Sequence, residues 1–255
     1  MVFPHKGENH HSGVKNEKDI VNYQNENKNN TLNEFVKNKY EKEIKEWVHV
    51  GGTQHKEDCV INLEDDSSLK ISIKNHTSGT FDWINTSKLP ESFNGLKNNV
   101  KSFKEKYFHN EVTKDMRQEL ESILSDELDN LTSENIKTLF IDFYEKCPEW
   151  ILINDKKSNK LLFFNKSELK YFNEKYTFVV KKTRAKTSRQ VCIIDENGNI
   201  KNINLRIRLV LNNGINALLQ NENSKNKVSV PCLKIQQDKV DVMIKSCEDI
   251  ISTDY

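Results

Sequence analysis

Apolar residues recur along this chain in two patterns, one with helical intervals and one with short runs bounded by polar turns. Thr31 and Glu34 have the spacing of a capping box and mark the start of one helix, whose apolar positions continue to Trp47. Pro148 marks the end of another. Helices are therefore predicted at about 13–25, 31–47, 116–131, 134–146 and 239–251.

The short apolar runs predict strands. Two of them, 58–63 and 69–74, flank the polar segment Glu-Asp-Asp-Ser-Ser and indicate a hairpin. Five more follow at 150–153, 160–164, 176–182, 190–195 and 203–211. The pattern predicts an α+β protein, in which a mostly helical front half surrounds a small hairpin and the back half is rich in strands. Residues 1–12 are predicted to be disordered.

Charge is spread unevenly along the 255 residues, although the net charge is only +1. The segment 111–150 has eleven acidic and four basic residues, whereas 156–190 has eleven basic and two acidic ones. A charge run is commonly just a solvated face. A basic segment beside an acidic one also suits a molecule that offers one face to phosphate groups.

Several protein classes fit the sequence poorly. No apolar run approaches the length of a membrane span, and the first residues lack the order of a signal peptide, so we expect a soluble, cytoplasmic protein without membrane partners. Five scattered cysteines without CxxC spacing argue against a zinc ribbon or a disulfide framework.

The predicted hairpin brings an acid and an amine together. If the strands pair about a loop centred on Asp66, Asp58 faces Lys74 and Val60 faces Ser72. Directly opposed residues have Cβ atoms about 5 Å apart. Alternation places Asp58, Ser72 and Lys74 on one face and the apolar residues on the other. The ordinary explanation of such a pair is a weak cross-strand salt bridge.

The surrounding residues support a more specific hypothesis. The segment Gly51-Gly-Thr-Gln-His-Lys-Glu-Asp58-Cys-Val-Ile, followed by Leu69-Lys-Ile-Ser72-Ile-Lys74-Asn, resembles the active site of the PD-(D/E)xK nuclease superfamily. The likeness is greatest to small type II restriction endonucleases of the MspI kind, and it covers roughly residues 13–87. It implies a restriction-endonuclease-like mixed sheet flanked by helices. It also implies a Mg²⁺-dependent endonuclease that cuts double-stranded DNA at specific sites.

The resemblance assigns roles residue by residue. Asp58 would be a metal ligand, the main-chain carbonyl of Ile73 a second ligand, and Lys74 the catalytic cation. Ser72 departs from the family, which usually has Glu or Asp at this catalytic position, so one anionic ligand is missing. Glu17, on the first predicted helix, is our candidate for the replacement in both the metal and the catalytic role. The chain would then form one nuclease domain over 13–255, with a catalytic half (13–150) and a DNA-recognition half (151–255).

DNA contacts are predicted outside this hairpin as well. A basic loop joins two apolar strands, and its arginines are expected to read bases while its lysines hold phosphates. Arg206 and Arg208 share one strand face and form a second patch, and two polar residues precede Asp58. The predicted DNA-binding residues are Lys181, Lys182, Arg184, Lys186, Arg189, Arg206, Arg208, Gln54 and Lys56.

Two other functions remain open at this stage. Because of Ser72, the chain could be a non-catalytic nucleic-acid-binding protein on a degenerate nuclease fold, or else a homing or repair nuclease of the same fold. A histidine cluster for a transition metal and an HNH-type nuclease are disfavoured by the spacing of the histidines. A restriction enzyme would be expected to pair transiently into a homodimer and to be accompanied by a DNA methyltransferase.

Overall fold

The helices and strands collect into two units, each built around its own sheet. In this computed structural model, residues 6–51, 57–77, 80–86, 89–146, 148–168, 176–211, 213–220, 231–237 and 250–255 are described. The first unit comprises residues 1–79, 142–170 and 240–255, and the second comprises 80–141 and 171–239. These interleaved segments cut across the predicted boundary at residue 150. The α+β class predicted from the sequence is confirmed.

The first unit contains a six-stranded mixed sheet in the order β1-β2-β3-β5-β6-β11. Strands β3 and β5 run parallel, while every other neighbouring pair in this sheet is antiparallel. The strands are β1 (Ile44–His49), β2 (Cys59–Leu63), β3 (Ser68–His76), β5 (Trp150–Asp155), β6 (Lys160–Asn165) and β11 (Ile250–Asp254).

Two helices, α1 (Lys6–Glu26) and α2 (Thr31–Tyr40), pack on one face of this sheet. Ile20 and Leu32 from the helices are buried against a row of sheet side chains that includes Ile61 and Ile71. Asn30 caps α2 by accepting a hydrogen bond from the main-chain N–H of Asn33. Burial of these side chains fixes α1, and with it Glu17, over the start of the hairpin.

The second unit contains a five-stranded antiparallel sheet in the order β4-β10-β9-β8-β7. Its strands are β4 (Phe81–Thr86), β7 (Thr177–Lys182), β8 (Ser188–Ile194), β9 (Ile200–Leu211) and β10 (Pro231–Gln237). Its helices are α3 (Asn94–Tyr107), α4 (Lys114–Asp129), α6 (Gly214–Gln220) and most of α5 (Ser133–Lys146). Short 3-10 turns occur at Glu91–Phe93 and, in the first unit, at Lys166–Glu168.

The prediction of a helix from 31 to 47 was wrong in its second half. Helix α2 ends at Tyr40, because Glu41 adopts the left-handed conformation with φ of 54° and its N–H bonds back to the carbonyl of Lys37. Ile44 and Trp47 then lie in β1. Their spacing fitted a helical stripe, but Trp47 is buried by the sheet pairing with Ile61.

The two ends of the described chain also differ from prediction. Residues 6–12, expected to be disordered, form the first turns of α1. At the other end, Ile250 and Ile251 pair with β6 as part of β11 and are not helical. The rest of the helix predicted for 239–251 lies outside the described residues. The helices at 116–131 and 134–146 and the five later strands are confirmed with shifted ends.

Candidate active site

The hairpin of β2 and β3 forms, but its register differs from the predicted one by two residues. Cys59 pairs with Ile71 and Ile61 with Leu69, so Asp58 comes opposite Ser72 and not opposite Lys74. The loop is tighter than predicted, because Leu63 and Ser67 close it and Asp66 takes a left-handed conformation with φ of 64°. A shift of two residues leaves the alternation of faces unchanged.

Hydrogen bonds fix both the main chain and the carboxylate of Asp58 at the start of β2. Its main-chain N–H donates to the carbonyl of Ile71 at 2.9 Å, and its carbonyl accepts from Val50 and Gly51 at 3.1 Å each. Its carboxylate oxygen Oδ2 accepts from the hydroxyl of Ser72 at 3.0 Å and from the N–H of Ile73 at 2.6 Å. The carboxylate therefore has a fixed orientation, set by the two residues that precede Lys74.

Lys74 lies on the same face of β3 as Ser72, two residues further along the strand. Its parallel neighbour on β5 is Ile153. Within the described part of the chain, its ammonium group makes no ion pair with Asp58 or with any other acid. The cross-strand salt bridge that could have explained this pair is not formed. Lys74 is partly buried, on the face of β3 that also carries Ser72.

Glu17 reaches the same site from α1. Its oxygen Oε2 lies 2.9 Å from Nε2 of His49 on β1, and both side chains are less than one-fifth exposed. Burial is the main reason that the pKa of Glu17 lies above its usual value, and the negative charge of Asp58 raises it further. The hydrogen bond from His49 and the positive charge of Lys74 act in the opposite direction. The pKa of Glu17 therefore responds to the charges of both Asp58 and Lys74.

Gly51 makes room for this arrangement. A Cβ atom at this position would lie 2.9 Å from Oε2 of Glu17 and 3.0 Å from Nε2 of His49. Gly51 also donates its N–H to the carbonyl of Asp58. The absence of a side chain therefore lets the Glu17–His49 pair approach the backbone that positions Asp58.

Gly51→Ala should consequently lower the free energy of unfolding by about 1 kcal/mol, because the added methyl group pushes the Glu17–His49 hydrogen bond apart. Gly95→Ala is the control, since Gly95 lies in α3 with nothing within 4 Å of its Cβ position. That substitution should be neutral or stabilising by up to about 1 kcal/mol. Urea unfolding of both variants measures the difference. A Gly51→Ala protein as stable as Gly95→Ala would contradict the packing role of Gly51.

A histidine–carboxylate pair that the sequence did not predict lies further along the same face. His76 pairs with Asp155 across the parallel strands β3 and β5, with Nδ1 and Oδ1 2.9 Å apart. Ser158 donates its hydroxyl to the other oxygen of Asp155 at 2.6 Å. Burial acts to raise the pKa of Asp155, but the hydrogen bonds from Ser158 and His76 outweigh it and the pKa is lowered. No spacing in the sequence links residues paired across parallel strands.

The described residues contain no group of three or more His, Cys, Asp or Glu side chains arranged to hold a metal ion. The charge of Asp58 raises the pKa of Glu17, and the hydroxyl of Ser72 bonds to Asp58 at the position where the sequence hypothesis expects an acid. Gln54 and Lys56, predicted to contact DNA, lie outside the described residues.

The predicted role of Arg189 as a base reader is contradicted. Arg189 is 2% exposed, and its Nε donates to Asp129 at 2.7 Å. Its other guanidinium nitrogens donate to Ser125 on α4 and to the carbonyls of Lys186 and Ser188. All of the donor groups of this side chain are directed into the protein, where they fasten the β7–β8 hairpin to α4.

The other cations of this hairpin are exposed to solvent, and two of them form ion pairs. Lys182 lies 3.3 Å from Asp129 and Lys186 lies 3.5 Å from Glu121, in pairs whose lysines are well exposed. Such surface pairs are weak. Lys181 and Arg184 are exposed, as are Arg206 and Arg208 on β9. The structure therefore leaves these six predicted DNA-binding cations at the surface of the second unit.

Among the described residues, no helix is long and apolar enough to cross a membrane. Comparisons with protein-family models, with curated proteins and with solved structures returned no match for the chain.

Proposed function

We propose that the chain is a Mg²⁺-dependent endonuclease that hydrolyses phosphodiester bonds of double-stranded DNA, and specifically a site-specific restriction enzyme of type II. The observation that carries this proposal is the carboxylate of Asp58 at the start of β2, held by the two residues that precede Lys74 on β3. The pKa of Glu17 on α1 responds to the charges of both Asp58 and Lys74. These are the two strands and the upstream helix that the resemblance to the PD-(D/E)xK superfamily assigns to catalysis.

The donor atoms at this site suit a hard cation. Magnesium prefers oxygen ligands and usually keeps several waters, so it does not need a cage made of protein groups alone. Asp58 would bind through its oxygen Oδ1, since Oδ2 accepts hydrogen bonds from Ser72 and Ile73. Burial is the main cause of the raised pKa of Glu17, and the charge of Asp58 adds to it, so a cation bound here would relieve the repulsion between the two carboxylates.

Ile73 can supply the main-chain ligand. Its N–H points to the carboxylate of Asp58, on the β2 side of β3. In a strand, the N–H and the C=O of one residue point to the same side. The carbonyl of Ile73 therefore faces the side on which Asp58 lies, at a point where β2 has not yet begun to pair with β3.

Each side chain at this site has a separate role in the proposed hydrolysis. A bound Mg²⁺ would polarise the phosphate and lower the pKa of a coordinated water. Asp58 and Glu17 hold their oxygens in place for the ion, and Ser72 keeps Asp58 in its orientation. The ammonium of Lys74 orients the attacking water and stabilises the negative charge that develops on the phosphate. The bond from phosphorus to the leaving oxygen breaks as the new P–O bond forms, and the proton lost by the attacking water reaches the leaving oxygen through solvent.

The order of the sheet supports the same proposal. The strands that carry Asp58 and Lys74 are consecutive and antiparallel, and β3 then pairs in parallel with β5 from a later part of the chain. This is a mixed sheet with helices on one face, in keeping with a restriction-endonuclease-like core. A single site cuts one strand, so cleavage of both strands calls for a transient homodimer or rebinding. A DNA methyltransferase that protects the host would accompany such an enzyme.

A second candidate is a nucleic-acid-binding protein without cleavage activity. The observation that favours it is the hydrogen bond from Ser72 to Asp58, where a second acidic ligand would otherwise stand. With Asp58 and Glu17 as the two candidate carboxylates among the described residues, the metal site would be too weak to act at cellular Mg²⁺ concentrations.

Incubation of the purified chain with plasmid DNA and Mg²⁺ tests the proposal. Discrete fragments that disappear with EDTA are expected from a site-specific enzyme. A smear of products, or cuts confined to damaged DNA, would point to a repair nuclease. Cuts confined to a single, very long recognition site would point to a homing nuclease. Tight binding without any cut under Mg²⁺ or Mn²⁺ would refute the nuclease proposal and support the binding-only candidate.

A further inference from the structure

The sheet of the second unit presents one polar face. Across its five strands the register aligns Lys181, Gln190, Arg206, Gln236 and Asp82 in one row. A second row aligns Ser188, Arg208, Lys234 and Asn85. Residues paired in this way project from the same face of a sheet.

The opposite face is apolar. Its positions alternate with those of the two rows along β8, β9 and β10. The side chains there are fully or almost fully buried, and they include Val191, Leu205, Ile207, Leu209, Leu233 and Ile235. Helix α4 packs against β8 and β9 in this unit. Apart from Ser188, which is buried, the polar rows thus lie on the outer side of a sheet whose inner side forms the core.

Cations predominate on the polar face. Lys181, Arg206 and Arg208 are exposed, and Lys234 is partly exposed. The one carboxylate of the two rows, Asp82, accepts hydrogen bonds from Lys234 and Gln236 at 2.9 Å each. Its charge is therefore compensated within the face. We call Lys181, Arg206, Arg208 and Lys234 the basic face.

We propose that the basic face binds the phosphate backbone of double-stranded DNA and is the main DNA-holding surface of the second unit. This inference rests on the proposed function. It goes beyond the sequence hypothesis because it adds Lys234 and joins Lys181 to the β9 arginines. It also moves the main contact from the tip of the β7–β8 hairpin, where Arg189 is buried, to the sheet.

The dimensions of the basic face favour contacts to phosphates. Neighbouring strands lie about 4.8 Å apart, so a row from β7 to β10 spans roughly 14 Å, and Arg206 and Arg208 lie about 7 Å apart along β9. The major groove is about 12 Å wide and admits a helix or a two-stranded ribbon. A five-stranded face cannot enter it, and its long cationic side chains instead meet the backbone, which positions the DNA without reading its sequence.

The composition of the face favours a duplex over a single strand. Proteins that hold single strands combine positive charge with aromatic rings on which bases stack. None of the paired positions in the two rows has an aromatic side chain. Binding should therefore depend almost entirely on charge.

The double variant Arg206→Gln/Arg208→Gln tests this surface. Anisotropy of a labelled 30-base-pair duplex, measured without divalent metal at several salt concentrations, gives the slope of log K against log salt. Each lost phosphate contact reduces the slope by about 0.9, so the double variant should lose about 1.8. Between 50 and 200 mM salt, the affinity of the wild type should then fall about tenfold more than that of the variant.

Arg117→Gln is the matched control, since Arg117 is an exposed arginine on α4, the helix that packs on the apolar side of the sheet. It should leave the slope unchanged. An unchanged slope in the double variant, or an equal change in Arg117→Gln, would overturn the basic face. Preferential binding of a single-stranded oligonucleotide would also overturn it. If the wild type binds duplex through these arginines but never cuts plasmid, the surface stands and the nuclease proposal fails.

Discussion

Asp58→Asn is expected to reduce Mg²⁺-dependent cleavage about a thousandfold, equivalent to roughly 4 kcal/mol of transition-state stabilisation. Asparagine is the sharpest substitution here, because its carbonyl oxygen can still accept the hydrogen bonds from Ser72 and Ile73. The fold should therefore survive while the charge that binds the ion is lost. Lys74→Met should lower the cleavage rate about a hundredfold to a thousandfold, because it removes the cation proposed to stabilise the developing charge.

The hairpin supplies matched controls for both changes. Asp66→Asn alters an aspartate at the opposite end of the hairpin. Asp66 is 89% exposed, and asparagine tolerates the left-handed backbone conformation at this position. Lys70→Met alters an exposed lysine on the same strand and face as Lys74, and Lys70 lies 3.5 Å from Glu57. Rates are measured on supercoiled plasmid under single-turnover conditions. Cleavage by Asp58→Asn at the rate of Asp66→Asn, or equal losses in Lys70→Met and Lys74→Met, would refute the assignment.

Arg189→Met is expected to lower the free energy of unfolding by about 2–4 kcal/mol. The substitution keeps much of the apolar volume but leaves the carbonyls of Ser125, Lys186 and Ser188 without the donor groups of Arg189, and Asp129 without one of its two cationic partners, the other being Lys182. Arg184→Met is the control from the exposed part of the same hairpin and should change stability by less than about 0.5 kcal/mol. Urea unfolding measures both. Equal stabilities of the two variants would contradict the fastening role of Arg189.

The same ion pair predicts a pH dependence. The hydrogen bond from Arg189 is the main reason that the pKa of Asp129 is lowered in the folded protein. A lowered pKa contributes stability that is complete above the unfolded value, about 3.9, and is lost as the pH falls through the folded value. The stability difference between wild type and Arg189→Met should therefore be constant from pH 7 to pH 5 and shrink below about pH 4. A difference that grows in acid would contradict this account.

Local patterns predicted the hairpin well because its strands are adjacent in sequence. The alternation that separates Asp58, Ser72 and Lys74 from the apolar residues follows directly from a period of two. The predicted register was wrong because the observed one depends on the left-handed backbone of Asp66, which shortens the loop. An aspartate does not predict this conformation in the way that a glycine does.

Features that join distant segments could not be predicted from the sequence. The ion pair of Arg189 with Asp129 and the His76–Asp155 pair each depend on how strands and helices are arranged in space. The basic loop was predicted to read DNA bases because the pattern of charges in the sequence does not show that Arg189 is buried. Similarly, the spacing of Ile44 and Trp47 fits both a helix and the irregular pairing of β1 with β2.

The interleaving of the two units bears on the order in which a growing chain can fold. The β2–β3 hairpin emerges early, but the parallel neighbour of Lys74 belongs to β5, which follows most of the helices of the second unit. Strand β11, which completes the same sheet, follows every segment of the second unit. The five-stranded sheet can therefore be complete on the ribosome before the six-stranded one. The sheet that holds Asp58 and Lys74 would therefore stay incomplete until β11 has been synthesised.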